Sequence, residues 1–208
     1  MTLSKCKVKI CGITNFEDAR AAVDLGADAI GFVFVRSPRQ IKPADAAIII
    51  AKVPVFVNCV GVFADQSLKV VEKIARQCKI DTLQFHGKES PEYCAYFKNK
   101  YKVIKAFRVK EDKDLKDLIR YKVDAYLLDT YVRGVKGGTG RTFNWELAKK
   151  AGWRVSPVIV SGGLNPENVK KAIKIARPYA VDVSGGIESA PGKKDIRLMK
   201  EFIKEAER

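Results

Sequence analysis

Hydrophobic residues occur along this chain in short β-branched runs, and longer amphipathic, charged segments separate these runs. The first run, residues 7–11, predicts a strand, and the segment after it, residues 15–25, predicts a helix. Thr14 and Glu17 have the spacing of a capping box at the start of this helix. The further predicted strands are residues 28–34, 55–63, 82–85, 102–107, 125–129, 157–160 and 180–183, and the further predicted helices are residues 44–52, 67–77, 113–121, 145–151 and 195–206, with two more that open at Ser90-Pro91-Glu92 and Asn165-Pro166-Glu167.

Eight strands, each followed by a helix, predict a parallel sheet covered by helices. Dividing 208 residues by eight gives units of about 26 residues, close to the minimum for a strand, a crossover helix and their turns. Eight units favour a closed (β/α)8 TIM barrel over a doubly wound open sheet, which needs only five or six. No linker or low-complexity segment interrupts the chain, so we expect residues 1–208 to form a single α/β barrel domain, with its active site at the carboxyl ends of the strands.

The charge of the chain points to an anionic partner. Lys and Arg number 39 against 24 Asp and Glu, which gives a formal charge of +15. Such a charge suits an anionic small molecule or nucleic acid, and the alternative is an ordinary solvated surface rich in lysine. No nucleic-acid recognition motif accompanies the charge, so we expect no nucleic acid, while a small anionic substrate and an ordinary solvated surface both stay open at this point.

Hydropathy and cysteine usage indicate the cellular compartment of the protein. The longest apolar stretch, residues 46–51, is far too short to span a bilayer, which needs roughly 20 residues. Residues 1–11 lack the apolar core of a secretion signal. The five cysteines are odd in number and form no C-x-x-C pair, so neither a disulfide framework nor a zinc site is indicated. We therefore expect a cytoplasmic protein without a metal. The sequence does not indicate an oligomeric state, and a monomer and a homodimer both suit the predicted fold.

Two Ser-Gly-Gly turns follow the seventh and eighth predicted strands, at residues 161–163 and 184–186. Glycine lets backbone N–H groups approach an anion closely, and barrels of this kind often bind phosphate at these two loops. One such turn alone would be explained as a tight connection between a strand and a helix. Two at adjacent strands, together with the glycine-rich residues 137–140 after the sixth strand, predict a phosphate site.

Cys11 ends the first predicted strand and Asp129 ends the sixth, three strands apart around a closed ring. A thiolate beside cationic groups can act as a base, and a carboxylic acid opposite can donate a proton. Either residue alone could be a packed cysteine or a turn-capping aspartate, but on one rim they suggest an acid/base pair. Arg39 could clamp a carboxylate with its planar fork, or lie solvated on the surface. His86, the single histidine, ends a strand without a nucleophile motif, which favours a structural role.

The chain resembles the phosphoribosylanthranilate isomerase family of tryptophan biosynthesis over nearly its whole length. The motifs that carry the resemblance are Lys9-Ile10-Cys11-Gly12-Ile13-Thr14, Gly31-Phe32-Val33-Phe34, Gly61-Val62-Phe63, Gln84-Phe85-His86-Gly87, Leu128-Asp129-Thr130, residues 138–145, residues 161–169, Asp182-Val183-Ser184 and Pro191-Gly192-Lys193-Lys194-Asp195. The resemblance implies a TIM barrel and an Amadori rearrangement of N-(5-phosphoribosyl)anthranilate to 1-(2-carboxyphenylamino)-1-deoxyribulose 5-phosphate. It also implies that no cofactor takes part.

The resemblance implies a role for individual residues as well. Cys11 would be the general base, Asp129 the general acid, and Arg39 the contact to the anthranilate carboxylate. The phosphate and the rest of the substrate would be bound by Gly138, Gly162, Gly163, Asp182, Ser184 and Gly185.

Two departures from the family pattern affect the binding loops. Gly185 stands where a second serine is common, and the loop at residues 35–40 is one residue shorter than usual. Related phosphosugar barrels remain alternatives: one that isomerises an aminoimidazole ribotide typically has Asp in place of Cys11, and one that closes an indole ring needs a catalytic lysine.

Overall fold

The structure is a computed structural model, and it describes residues 5–129 and 145–207. Within those residues, eight parallel strands close into a barrel in which each strand pairs with the next and β8 pairs with β1. The barrel strands are β1 Lys7–Cys11, β2 Ala29–Val33, β3 Asn58–Phe63, β4 Thr82–Phe85, β5 Lys102–Arg108, β6 Ala125–Asp129, β7 Val158–Ser161 and β8 Ala180–Val183. The predicted TIM barrel is therefore confirmed, and the open doubly wound sheet is excluded.

Helices connect successive strands. The α-helices of the described residues are α1 Phe16–Asp24, α2 Pro43–Ile50, α3 Leu68–Cys78, α4 Pro91–Lys98, α5 Trp145–Gly152, α6 Val169–Ala176 and α7 Ile196–Ala206. After β8, a 3₁₀ turn at Gly185–Ile187 leads into a two-stranded hairpin of β9 Glu188–Ala190 and β10 Lys193–Lys194. This hairpin lies between the last barrel strand and α7, so its side chains can reach the mouth of the barrel.

The alternation of side chains along the strands divides the core in two. Outward residues such as Ile10 and Leu83 belong to the large cluster between barrel and helices. Inward residues such as Leu127 and Ile159 form a separate cluster inside the barrel. On β1 this alternation gives Lys9 the same face as Cys11, and both are buried. The barrel interior therefore contains a charged side chain directly below the residue that ends the strand.

The third strand begins later than its apolar run predicts. Val55 and Phe56 are 88% and 95% exposed, and the strand starts only at Asn58. Pro54 opens a turn in which its carbonyl accepts the N–H of Val57. The turn removes Val55 and Phe56 from the ladder, so the predicted start at residue 55 is wrong.

The predicted capping box at Thr14 and Glu17 is also wrong. The cap of α1 is Asn15, whose side-chain oxygen accepts the N–H of Asp18. Thr14 instead donates its hydroxyl to the carbonyl of Gly192, 2.5 Å away in the hairpin region. The hydroxyl thus joins the first loop to the last one rather than capping the helix.

The segment between β5 and β6 is a 3₁₀ helix, Asp112–Arg120, where the sequence predicts a helix over residues 113–121. Its buried apolar residues, Leu115 and Leu118, are three positions apart. That spacing matches the three residues per turn of a 3₁₀ helix, which places both side chains on one face. In the described part of the chain, no helix has the length and apolar character that a membrane span requires.

Candidate active site

A cavity of about 650 Å³ opens at the carboxyl ends of the barrel strands. All the predicted site residues that the structure describes line it, namely Cys11, Arg39, Asp129, Gly162, Gly163, Asp182, Ser184 and Gly185. Gly138, which the sequence also assigns to the site, lies outside the described residues. The closure of the barrel thus brings together side chains that are distant along the chain.

Cys11 ends β1 at the floor of this cavity and is only 8% exposed. Its sulfur lies against Gly31 of β2, where an added Cβ would be 2.8 Å from Sγ. Burial raises the pKa of the Cys11 thiol; the Asp182 carboxylate adds to this, and the ammonium groups of Lys9 and Lys194 oppose it. The protonated thiol is therefore the favoured form at neutral pH, and the two lysines are the groups that make the thiolate accessible.

A buried ion pair lies directly beneath Cys11. Lys9 Nζ donates to Asp182 Oδ1 over 2.8 Å, and Ser161 Oγ donates to Asp182 Oδ2 over 3.0 Å. Burial works against the charge on Lys9, but the carboxylate of Asp182 and the sulfur of Cys11 together outweigh it and raise the pKa of Lys9. Sequence reasoning missed Lys9, although its position two residues before Cys11 on a strand was the available signal.

Asp129 ends β6 and contacts the histidine that the sequence assigned to a structural role. His86 Nε2 lies 3.1 Å from Asp129 Oδ2, and Gln84 Nε2 lies 3.5 Å from His86 Nδ1. When the Gln84 amide donates to Nδ1, the hydrogen of the neutral ring is on Nε2 and is donated to Asp129. His86 is thus in direct contact with the candidate acid.

Arg39 reaches the cavity from the loop after β2, but its guanidinium is already paired. Nε and Nη2 donate to the two carboxylate oxygens of Glu188 over 2.7 and 2.6 Å. Lys194 Nζ donates to the same carboxylate over 2.9 Å. Burial alone would raise the pKa of Glu188, but Arg39 and Lys194 hold it below its usual range. Sequence reasoning identified neither Glu188 nor Lys194 as part of the site.

The loops after β7 and β8 contain positions that favour glycine, in the first loop through the backbone conformation and in the second through the available space. Gly162 and Gly163 have φ angles of 87° and 64°, in the left-handed region. At Gly186 an added Cβ would lie 1.9 Å from the carbonyl oxygen of Leu164, so no side chain fits. The two loops therefore approach each other by their backbones, at the edge where Ser184 and Gly185 also line the cavity.

Among the described residues, no group of three His, Cys, Asp or Glu side chains is arranged to hold a metal ion. The polar side chains that line the cavity include a thiol, two carboxyls, an imidazole, two guanidinium groups, an amide and several hydroxyls, namely those of Cys11, Asp129, Asp182, His86, Arg39, Arg108, Gln84, Ser37, Ser161 and Ser184. That set suits proton transfer on a substrate that carries anionic groups.

Comparison with known proteins places these features in a family. The profile of the family described as N-(5′-phosphoribosyl)anthranilate (PRA) isomerase matches residues 8–205. An N-(5′-phosphoribosyl)anthranilate isomerase of Geobacter metallireducens is 50% identical over 201 residues, which cover 96% of this chain and 98% of the relative.

Solved structures agree with the sequence relatives. The phosphoribosyl anthranilate isomerase of Thermotoga maritima has a TM-score of 0.91 and 44% identity, covering 97% of this chain and 98% of that one. A second isomerase structure, with a TM-score of 0.88, 42% identity and the same coverage of both chains, contains reduced 1-(o-carboxyphenylamino)-1-deoxyribulose 5-phosphate. The resemblance seen in the motifs is thereby confirmed, and the chain belongs to the N-(5′-phosphoribosyl)anthranilate isomerase family.

Proposed function

We propose that this protein is a phosphoribosylanthranilate isomerase of tryptophan biosynthesis. It converts N-(5-phosphoribosyl)anthranilate to 1-(2-carboxyphenylamino)-1-deoxyribulose 5-phosphate. The observation that carries the proposal is the position of Cys11 and Asp129, which end strands β1 and β6 and line one cavity. A base and an acid on opposite sides of a bound sugar are what an aldose-to-ketose rearrangement needs.

Asp129 is the proposed general acid. Its carboxylic acid gives a proton to the furanose ring oxygen, the bond from that oxygen to C1′ breaks, and the anilino nitrogen supplies the electron pair of a new C=N bond. His86, 3.1 Å from the Asp129 carboxyl, orients this group toward the sugar. The substrate's own nitrogen thus stabilises the opened ring.

Cys11 is the proposed general base. Its thiolate removes the proton from C2′, and the electrons of that C–H bond form a C1′=C2′ bond while the nitrogen regains its lone pair. The resulting enolamine loses the proton of its C2′ hydroxyl and gains one at C1′, which gives the ketone. Protons and electrons balance within the substrate and the two residues, so the proposed reaction uses no cofactor.

Substrate anchoring is assigned to the rim of the cavity. Arg39 would contact the anthranilate carboxylate, and the backbone at Gly162, Gly163 and Gly185, with the hydroxyl of Ser184, would bind the phosphate. Asp182 is better placed to act indirectly, because its carboxylate accepts bonds from Lys9 and Ser161 and would repel a phosphate at close range. Gly138 stays a predicted contact.

The proposal also includes the class of ligand that the protein binds, its cellular compartment and its oligomeric state. It is a small anion with a phosphate and a carboxylate, and no nucleic acid or membrane is involved. We place the enzyme in the cytoplasm, which suits five cysteines that are all free thiols. For the oligomeric state, a monomer and a homodimer both remain compatible with the site.

The test is turnover of phosphoribosylanthranilate, followed by the loss of its fluorescence. Cys11→Ala and Asp129→Asn should each reduce kcat by a factor of about 10² or more, the size expected for a lost general base or acid. Cys6→Ala and Asp24→Asn are matched controls, since Cys6 and Asp24 do not line the cavity. Absence of turnover by the wild type would remove the function, and near-wild-type kcat in either site variant would remove its assigned role.

A further inference from the structure

We propose that Glu188 is a positioning residue for substrate recognition, because it holds Arg39 with one edge of the guanidinium facing the carboxylate of the substrate. This inference rests on the proposed function. It assigns to the hairpin after β8 a part in selecting a carboxylated ligand, and it predicts from which side that carboxylate approaches.

The pairing between Arg39 and Glu188 uses one defined edge of the guanidinium. Nε and Nη2 donate to the two carboxylate oxygens over 2.7 and 2.6 Å, a bidentate contact that fixes the plane of the group. In the described part of the chain, Nη1 makes no hydrogen bond. The edge formed by Nη1 and the second hydrogen of Nη2 is therefore the one that a ligand carboxylate can bind in the same bidentate way.

Burial indicates which partner holds the other. The Glu188 side chain is 5% exposed, whereas the Arg39 side chain is 29% exposed at the cavity. Glu188 thus belongs to the framework, and Arg39 extends from it toward solvent and ligand. A side chain that already lies in its binding rotamer loses less conformational entropy when the ligand arrives.

Lys194 fixes the position of Glu188. Its side chain is fully buried, and Nζ donates over 2.9 Å to Glu188, over 2.6 Å to the carbonyl of Cys11 and over 3.3 Å to that of Ser184. One ammonium group thereby connects the ends of β1 and β8 to the hairpin. The charge of Lys194 also compensates the charge of Glu188. Lys194, Glu188 and Arg39 together therefore keep one net positive charge, which favours an anionic ligand.

Gly12 makes the path of Arg39 possible, and Gly185 lies beside the end of the side chain. A Cβ at Gly12 would lie 2.6 Å from Arg39 Cδ, and a Cβ at Gly185 would lie 3.0 Å from Arg39 Nη2. The arginine stem therefore lies on the backbone of the first loop, and its Nη2 lies against the loop after β8. Gly185 thus leaves room beside Nη2, and a side chain at that position would narrow it.

The experiment compares two ligands on the intact chain. One is reduced 1-(o-carboxyphenylamino)-1-deoxyribulose 5-phosphate, and the other is the same compound with a phenyl group that lacks the carboxylate. Glu188→Gln should raise the Kd of the first ligand about tenfold, since hydrogen bonds to charged groups are worth at least that factor. The Kd of the second ligand should stay within about twofold, because it keeps the phosphate, which the loops after β7 and β8 would bind, and lacks only the carboxylate that Arg39 would bind. KM for phosphoribosylanthranilate should rise with kcat nearly unchanged, the pattern of lost ground-state binding.

The ratio of the two Kd values is independent of the folded fraction, so partial unfolding of Glu188→Gln does not disturb the test. Glu188→Asp is the second variant: it keeps a charge beside Lys194 but is too short to reach both cations. It should also raise the Kd of the carboxylated ligand relative to the Kd of the other ligand. The control is Glu201→Gln, which removes one negative charge at an exposed position on α7. It should leave the ratio of the two Kd values at the wild-type value.

An unchanged ratio in both Glu188 variants would overturn the inference, and so would an equal weakening of both ligands, which would place Arg39 at the phosphate instead. A tighter Kd for the carboxylated ligand would also overturn it, because Glu188 would then compete with the substrate. Each of these results is compatible with wild-type turnover of phosphoribosylanthranilate, so a failure here is distinct from a failure of the proposed function.

Discussion

The contact between Gly31 and Cys11 allows a quantitative test of how closely the thiol must be placed. In Gly31→Ala the new Cβ would lie 2.8 Å from Cys11 Sγ, 3.2 Å from Cys11 Cα and 3.2 Å from Lys9 Cε. Favourable van der Waals contacts between such atoms begin at about 3.5 Å, so Sγ must move by about 0.7 Å or more. The backbone of β1 cannot absorb the shift freely, because residues 9–11 are paired in register with β2.

The displacement should affect turnover more than stability. A misplacement of about 1 Å in a reacting group can cost about 10² in rate, so we expect kcat of Gly31→Ala to fall between about tenfold and a hundredfold. Overpacking of a close-packed interior costs about 1–3 kcal/mol, and the free energy of unfolding should fall by that amount. Fluorescence of phosphoribosylanthranilate reports the first quantity, and urea denaturation reports the second.

Gly152→Ala is the matched control, because nothing lies within 4 Å of a Cβ at that position. It should change the free energy of unfolding by no more than about 0.5 kcal/mol and leave kcat unaltered. The reasoning about the thiol is refuted if Gly31→Ala keeps wild-type kcat, or if its kcat falls only as far as that of Gly152→Ala.

Two further predictions concern the charges around the thiol. Because burial raises the pKa of Cys11, its thiolate fraction should increase with pH throughout the neutral range. The rate of Cys11 alkylation by iodoacetamide, measured by mass spectrometry of the Cys11 peptide, should therefore show no plateau up to the ordinary thiol pKa of about 8.5. A plateau at lower pH would contradict this prediction. Lys9→Met leaves the buried carboxylate of Asp182 without its cation and should lower the free energy of unfolding by about 3–5 kcal/mol. The control Lys7→Met, which breaks a half-exposed pair with Asp28, should cost at most about 1 kcal/mol in the same urea denaturation, and equal losses would show that burial of the pair is unimportant.

The barrel could be predicted from the sequence because its signals are local. Each strand is a short apolar run, and each is followed by an amphipathic segment, so the order of elements can be read without tertiary contacts. The differences from the predicted elements are local ones, at the start of β3, at the cap of α1 and in the type of helix before β6. Pro54 turned Val55 and Phe56 out of the third strand, and a three-residue spacing of leucines favoured a 3₁₀ helix over residues 112–120.

The site was predictable only in part, and the reason is sequence separation. Cys11 and Asp129 end strands, so the topology of the barrel alone places them on one rim. The ion pairs of the site join residues far apart in the chain: 173 positions separate Lys9 from Asp182, and 149 separate Arg39 from Glu188. No local pattern indicates such partners. Arg39 therefore could be proposed as a clamp, whereas the residue that orients it was found only in the folded structure.

The high positive charge of the chain has a limited part in the site, because the cations nearest the thiol are paired with carboxylates that leave only one net positive charge. Lys9 is paired with Asp182, and Lys194 shares the carboxylate of Glu188 with Arg39. Binding and proton transfer therefore depend on where individual donors point rather than on accumulated charge. The same pairs tie β1 to β8 and to the hairpin, so the groups that set the ionisation of Cys11 also hold the strand end on which it lies. A change at Lys9 should consequently alter stability and thiol reactivity together, while a change at Glu188 should alter ligand selection.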